Sequence, residues 1–224
     1  MLNTAVTPLN FYAISLQLLP EKAIYRPETR TLYLTDTHFG KAGTFRRGGV
    51  PLPGGHNRAD YDRLNRLIET HGPKRMVFLG DLFHSFINEE WQQFTEWRAA
   101  HSLISMLLIE GNHDVLLPDD YLQANLIVQP EGFEDDGLIL NHHPRNDERA
   151  GPDLKPSLCG HIHPGVRLSG PGRQFERLPC FWHSVSRKQL MLPAFGSFTG
   201  LGNISPENTD SIFVIAGEDV VQLQ

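Results

Sequence analysis

"LYLTDTHFGK", residues 32–41, begins as a buried strand and changes character at Asp36. Leu32, Tyr33 and Leu34 suit a strand covered on both faces, yet Thr35 is followed at once by an acid, a hydroxyl and an imidazole. On an extended backbone, residues two apart point to the same side. Asp36 and His38 are therefore expected to converge just past the strand's end. A carboxylate and an imidazole that meet at one point suggest a metal ion, and the rest of the chain decides whether they do.

The same pattern recurs. "RMVFLG" (75–80) reads as a strand and runs into Asp81, with His84 three residues on. "SMLLIEG" (105–111) runs into Asn112, His113 and Asp114. "GLILNH" (137–142) ends at His142, and "PSLCGH" (156–161) ends at His161 with His163 two residues later. Five apolar runs thus finish in metal-capable side chains, and the carboxyl ends of strands are where open α/β sheets bind ligands. Between the early strands lie two helical patterns. Residues 58–72 carry Leu64, Leu67 and Ile68 on one face behind Asn57 as N-cap. Residues 88–102 start at Asn88 and space Trp91, Phe94 and Trp97 as core positions rather than as a base-stacking platform. After residue 111 the strands ("NLIVQ" 125–129, "KQLMLPA" 188–194 and "SIFVIAG" 211–217 among them) follow one another without full helices. A βαβ first half and a β-rich second half predict an α/β fold of two packed mixed sheets flanked by helices.

Composition sets the limits. At 224 residues, with 40% hydrophobic and 21% charged residues, the chain is expected to form one domain spanning 1–224. No apolar run reaches the roughly 20 residues of a membrane helix, and "MLNTAVTPLNFYAIS" lacks the basic start and apolar core of a secretory signal. A cytoplasmic protein without membrane association is the expectation. Cys159 and Cys180 form no Cys-x-x-Cys pair and read as buried thiols. A net charge of −6 argues against coating nucleic acid by bulk electrostatics. It leaves room for an enzyme whose bound cations supply positive charge where a phosphate approaches.

The donor types narrow the chemistry. Asp36, His38, Asp81, Asn112, His142, His161 and His163 offer carboxylates, imidazoles and an amide carbonyl without thiolates, a set suited to manganese, iron or zinc. They are too many for a closed four-ligand zinc site. They match two divalent ions sharing a bridge, roughly 3.5–4 Å apart, the arrangement used to hydrolyse phosphate esters.

Asp-x-His, Gly-Asp, Gly-Asn-His-Asp, His and Gly-His-x-His, in this order between residues 34 and 163, resemble the calcineurin-like metallophosphoesterases. "TDTHFGKAGTFRRGGVPLPGG", "GDLFH" and "LPAFGSFTG" further resemble the ligase-associated DNA endonuclease subfamily, grouped in bacterial repair with a DNA ligase, a helicase and an exonuclease. The resemblance implies a four-layer α/β/β/α sandwich with a dinuclear site at the carboxyl ends of the strands, manganese as the favoured metal, and single-stranded DNA as substrate. It also implies roles: Asp36, His38 and His163 at the first metal, Asp81 bridging, and Asn112, His142 and His161 at the second. His113 resembles the general acid, with Asp114 orienting its ring. His84 stands where many relatives carry an acid, and two readings stay open for it, a phosphate contact or a place behind the metal ligands. For Lys41, Arg46 and Arg47 a solvated basic loop competes with phosphate binding. His143 is expected to point away from the metals if its strand persists. Rivals to a DNA phosphodiesterase are a hydrolase of nucleotides or phosphomonoesters and a non-catalytic scaffold in a repair complex.

Overall fold

A computed structural model of the chain describes residues 6–41, 43, 49, 56–145, 151, 153–172 and 174–223. Thr7–Phe11 (β1), Ile14–Leu19 (β2), Ala23–Arg26 (β3) and Thr31–Leu34 (β4) form an antiparallel meander. Arg75–Leu79 (β5), Ser105–Ile109 (β6) and Ile127–Gln129 (β7) extend it in parallel, giving one seven-stranded mixed sheet in chain order. The crossovers carry His56–His71 (α1), Glu89–Ala100 (α2) and Pro118–Gln123 (α3). α1 begins at His56, ahead of the expected Asn57 cap. Asn88 caps α2 as expected, its side chain accepting from the backbone N–H of Glu90 and Trp91.

The second sheet consists of Phe133–Asp135 (β8), Leu138–Leu140 (β9), Ser157–Cys159 (β10), Pro164–Ser169 (β11), Phe175–Ser184 (β12), Gln189–Met191 (β13), Gly202–Asn203 (β14), Ser211–Ala216 (β15) and Asp219–Gln222 (β16). Its order is β14-β11-β12-β13-β10-β9-β8, with β15 on β12 and β16 on β15. The core follows from two-residue alternation along the buried strands. Leu32, Leu34, Met76, Phe78, Met106 and Leu108 face Leu64, Leu67 and Phe94 of the helices. Tyr33, Val77, Leu79, Leu107 and Ile109 face the other way and pack on Leu138, Leu140, Leu158, Leu190 and Phe213 of the second sheet. That double burial, about 1.5–3 kcal/mol for each large side chain, is why these strands read as unbroken apolar runs.

Among the described residues the helical layer lies on the first sheet. The far face of the second sheet carries a separate cluster of Cys159, Cys180, Trp182, Met191, Ile212 and Val214. Both cysteines are buried and unbridged. No described helix is long and apolar enough to cross a membrane. Because β4, β5 and β6 are parallel, as are β9 and β10, the ends singled out in the sequence arrive together between the two sheets.

Candidate metal centre

The loops after the strands are not extended. Asp36, His38, Asp81, His161 and His163 have φ of 52°, 48°, 53°, 69° and 47°, in the left-handed region where Asn, Asp and His are enriched among non-glycine residues. Convergence of Asp36 with His38 therefore comes from tight turns rather than from strand alternation, which corrects the sequence reading. Backbone bonds stitch the turns together. Asp36 N donates to Gly80 O at 3.1 Å, His38 N to Asp81 O at 2.9 Å, and Gly196 N to Asp36 O at 3.0 Å. Gly160 is required by closeness, since a Cβ there would lie 1.8 Å from Thr35 Oγ1 and 2.6 Å from Asp36 Oδ2.

Asp36 is fully buried. Its Oδ2 accepts from Thr35 Oγ1 at 2.8 Å and from His161 N at 2.9 Å, which turns Oδ1 inward. That Oδ1 has no hydrogen-bond partner of acceptable geometry, although His163 Nε2 is 3.1 Å away and His38 Nε2 is 3.9 Å away. The tautomer explains the mismatch. His163 Nδ1 lies 3.1 Å from Gly200 O and must carry the proton to donate to it, so neutral His163 presents a lone pair to Asp36. His142 repeats the arrangement. Its Nδ1 faces Leu79 O at 2.9 Å, while Nε2 meets Asn112 Oδ1 at 3.1 Å, His161 Nδ1 at 3.2 Å and Asp81 Oδ1 at 3.4 Å. His38 Nε2 lies 3.7 Å from Asp81 Oδ2. Lone pairs facing lone pairs in a buried site repel unless a cation lies among them. A ring held through its other nitrogen by a carbonyl is also how metal-binding histidines are oriented.

Without a cation among these groups, protons on the rings take its place. Burial alone would raise the carboxyls of Asp36 and Asp81. The charge of a protonated His163 beside Asp36, and of a protonated His142 beside Asp81, outweighs it and holds both below the usual carboxylate range. Burial disfavours a proton on His142, but the hydrogen bond and charge of Asp81, with the charge of Asp36, lift it to about 9. At His38 burial prevails over the same two acids and brings it down to about 3.

His113 and Asp114 part company. The Asp114 carboxylate accepts from the backbone N–H of Asp81, Leu82, Phe83 and Gly111 at 2.8, 2.9, 3.2 and 2.9 Å. It clamps the loop after β5 to the loop after β6 and does not orient the His113 ring, a correction to its expected role. The partner of that ring is His84, stacked on it at 3.8 Å between centroids and 26° between planes. His84 Nδ1 also lies 3.3 Å from His38 Nδ1, and the His38 and His113 rings meet edge-on at 5.6 Å, so the three imidazoles form one cluster. Lys41 lies close enough for its charge to lower the pKa of both His38 and His84, after burial in each case. Arg46 and Arg47 lie outside the described residues. β9 ends at Leu140, so His143 does not alternate away. Its ring approaches that of His161 to 4.2 Å and its Nδ1 pairs with Glu131 at 3.1 Å.

Several participants carried no sequence signal of their own. Thr35 bonds Asp36 Oδ2, and Glu131 accepts from the backbone N–H of His142. Residues 195–200, which the sequence marked only through the resemblance of "LPAFGSFTG", supply Gly200 O to His163 and lie alongside Thr35 and Asp36.

Residues 29–174, well over half of the chain, match the family described as calcineurin-like phosphoesterase. The chain belongs to that family. Among solved structures, a nuclease, MPE, from Pseudomonas putida is 32% identical, covers 97% of this chain and 100% of its own, and superposes with a TM-score of 0.79. A phosphoesterase from E. coli, Yfce, is 12% identical over 86% of this chain and 97% of its own, with a TM-score of 0.45, too distant to carry weight. No curated protein sequence matches the chain. As a calcineurin-like phosphoesterase it is a metal-dependent hydrolase of phosphate esters. The donors fit divalent cations: Asp36, His38 and His163 form one group and Asp36, Asp81 and His142 another, each with ligand atoms within 4.8 Å of one another. Asp36 Oδ1, buried and without a hydrogen bond, is the atom a cation would satisfy.

Proposed function

We propose that this phosphoesterase is a phosphodiesterase of DNA, an endonuclease acting on single strands in cytoplasmic DNA repair beside a DNA ligase, a helicase and an exonuclease. The observation that carries the reading is the likeness to the Pseudomonas putida nuclease over nearly the full length of both chains. Asp36, His38 and His163 would hold the first ion, Asp81 would serve both, and Asn112, His142 and His161 would hold the second. Carboxylate, imidazole and amide donors without thiolate suit manganese, iron or zinc, and the family resemblance favours manganese among them. When bound, such a pair supplies activated water and neutralises charge on the phosphoryl oxygens.

The chain's own residues supply the rest. His113, half-buried and stacked on His84, holds a proton for the departing sugar oxygen. The Asn112 side chain stands at the site's exposed edge, where its amide can meet a phosphoryl oxygen. Lys41, whose charge reaches His38 and His84, and His84 itself would meet a phosphate on the His38 side. The deciding experiment compares turnover of a defined single-stranded oligonucleotide with that of a nucleotide monoester in one preparation loaded with manganese. Internal cleavage of the oligonucleotide, far faster than monoester hydrolysis, is expected. Hydrolysis of the monoester alone would favour the small-molecule reading, and no turnover with both ions bound would favour the scaffold.

A further inference from the structure

We propose that one face of the β11–β12 hairpin is a lane for single-stranded DNA leading away from the metal centre, with Arg167 and Arg177 at its phosphates and Phe175 stacking a base. The inference rests on the nuclease reading and extends it to where the strand lies. It starts from an awkward pairing. Arg167 and Arg177 are direct register partners on adjacent antiparallel strands, so both side chains leave the same face. Like charges directly opposite destabilise a sheet. Among the described residues no carboxylate forms an ion pair with either arginine, and both are exposed in a chain of net charge −6. Two cations held side by side without a protein anion suit a ligand that brings its own negative charge.

The neighbours define that ligand. Phe175, two residues from Arg177 and so on the same face, is 58% exposed, and Arg167 Cζ lies 4.1 Å from its ring centroid. An exposed aromatic ring interleaved with guanidinium groups is how single-stranded nucleic acid is held without regard to sequence, bases on the rings and phosphates on the cations. Arg177 is already positioned, because its Nη2 donates to Leu201 O at 2.6 Å and to Asn203 Oδ1 at 3.0 Å, which leaves other guanidinium donors for a ligand. The opposite face is committed to the protein, because Val166 and Leu178, partners in the next register pair, pack on the cluster behind the second sheet.

The lane is rooted at the site. β11 begins at Pro164, immediately after His163, and Gly202 N donates to His163 O at 2.8 Å where β14 joins β11. At about 3.3 Å per residue Arg167 lies ~13 Å from His163. At the roughly 3.4 Å spacing of stacked nucleotides that is about four of them, beyond the reach of a mononucleotide and within reach of a strand.

The test uses Arg167→Gln combined with Phe175→Ala in the full chain with its metals. Affinity for fluorescent oligothymidylates of two and twelve nucleotides is measured across a salt series, with turnover of the longer oligomer and of a nitrophenyl phosphodiester alongside. The wild type should bind the twelve-mer much more tightly than the dimer. The variant should lose roughly tenfold on the twelve-mer, with a log-log salt slope shallower by about 0.7 per lost phosphate contact. Dimer affinity and ester hydrolysis, which do not reach the hairpin, should hold. Unchanged twelve-mer binding and cleavage in the variant would overturn the lane while leaving the nuclease reading intact, and equal losses on twelve-mer and ester would reduce the residues to a structural role. A wild type that hydrolyses the ester yet neither binds nor cleaves either oligomer would overturn the nuclease reading and the lane with it.

Discussion

Gly80 has φ +83°, and any Cβ there would sit 2.2 Å from His142 Nδ1. The glycine before Asp81 is thus the space in which a metal-capable ring lies, a requirement set 62 positions further along the chain. His113 makes the same point about partners. An acid beside a histidine in "GNHD" reads as its orienting group, yet the turn carries Asp114 back onto backbone N–H groups of the loop after β5. The stacking of His84 on His113 brings together side chains from two loops, and no local pattern encodes it. The metal-capable residues were legible because each follows an apolar strand directly; their hydrogen-bond partners were not, because those come from distant loops. If His113 delivers the proton, His113→Ala should slow DNA hydrolysis by about a hundredfold to ten-thousandfold, since a sugar alkoxide leaves poorly unprotonated. A nitrophenolate leaves readily without help, so a nitrophenyl phosphodiester should be turned over almost normally. Parallel turnover of both substrates, with metal analysis of the same sample, decides it. Equal losses would assign His113 to holding geometry.

At the scale of elements, α1 reaches the metal centre through one loop. Asp60, 3% exposed, accepts from Ser197 N at 3.1 Å, Ser197 Oγ at 2.5 Å and Arg63 Nη2 at 2.7 Å. Arg63 in turn bonds Phe195 O and lies over the Phe195 ring. The loop so pinned presents Gly200 O to His163. Asp60→Ala should cost about 3 kcal/mol in denaturant unfolding, the usual scale for stripping one partner from a buried charged pair. It should also weaken metal binding roughly tenfold to a hundredfold, as loss of a group supporting a ligand does. Calorimetric titration with manganese measures the second effect, and an unchanged affinity would show that the loop does not hold His163. Strands were legible where both faces are buried, as in β4, β5 and β6. β1–β3 escaped notice because the β1–β2 hairpin turns on Tyr12 and Ala13, both at positive φ, instead of the Asn-Gly or Asp-Gly that marks such a turn. β12 contains Pro179, which argues against a strand in sequence; it stands where pairing with β11 ends and pairing with β15 begins.

For the whole molecule, two sheets and five left-handed residues serve one centre. Each such residue costs of order 1–3 kcal/mol and persists only where its surroundings over-determine it. Here those surroundings are parallel strand ends, the Asp114 clamp and the loop 195–200, with charge and lone pairs converging inside. The α/β class and two mixed sheets followed from the order of apolar runs, whereas the nine-stranded connectivity of the second sheet did not, since strands of three residues carry too little period to place. The arrangement stands on Asp81, whose two oxygens face opposite ways, Oδ2 toward His38 and Oδ1 toward His142. The most direct measurement is therefore bound metal per chain in Asp81→Asn against the wild type, with phosphodiester turnover on the same samples. A shared carboxylate predicts two ions per wild-type chain, and in the variant a lower metal content with activity nearly abolished, because an amide is a neutral and weaker ligand. Retention of both ions with near-normal turnover would contradict it.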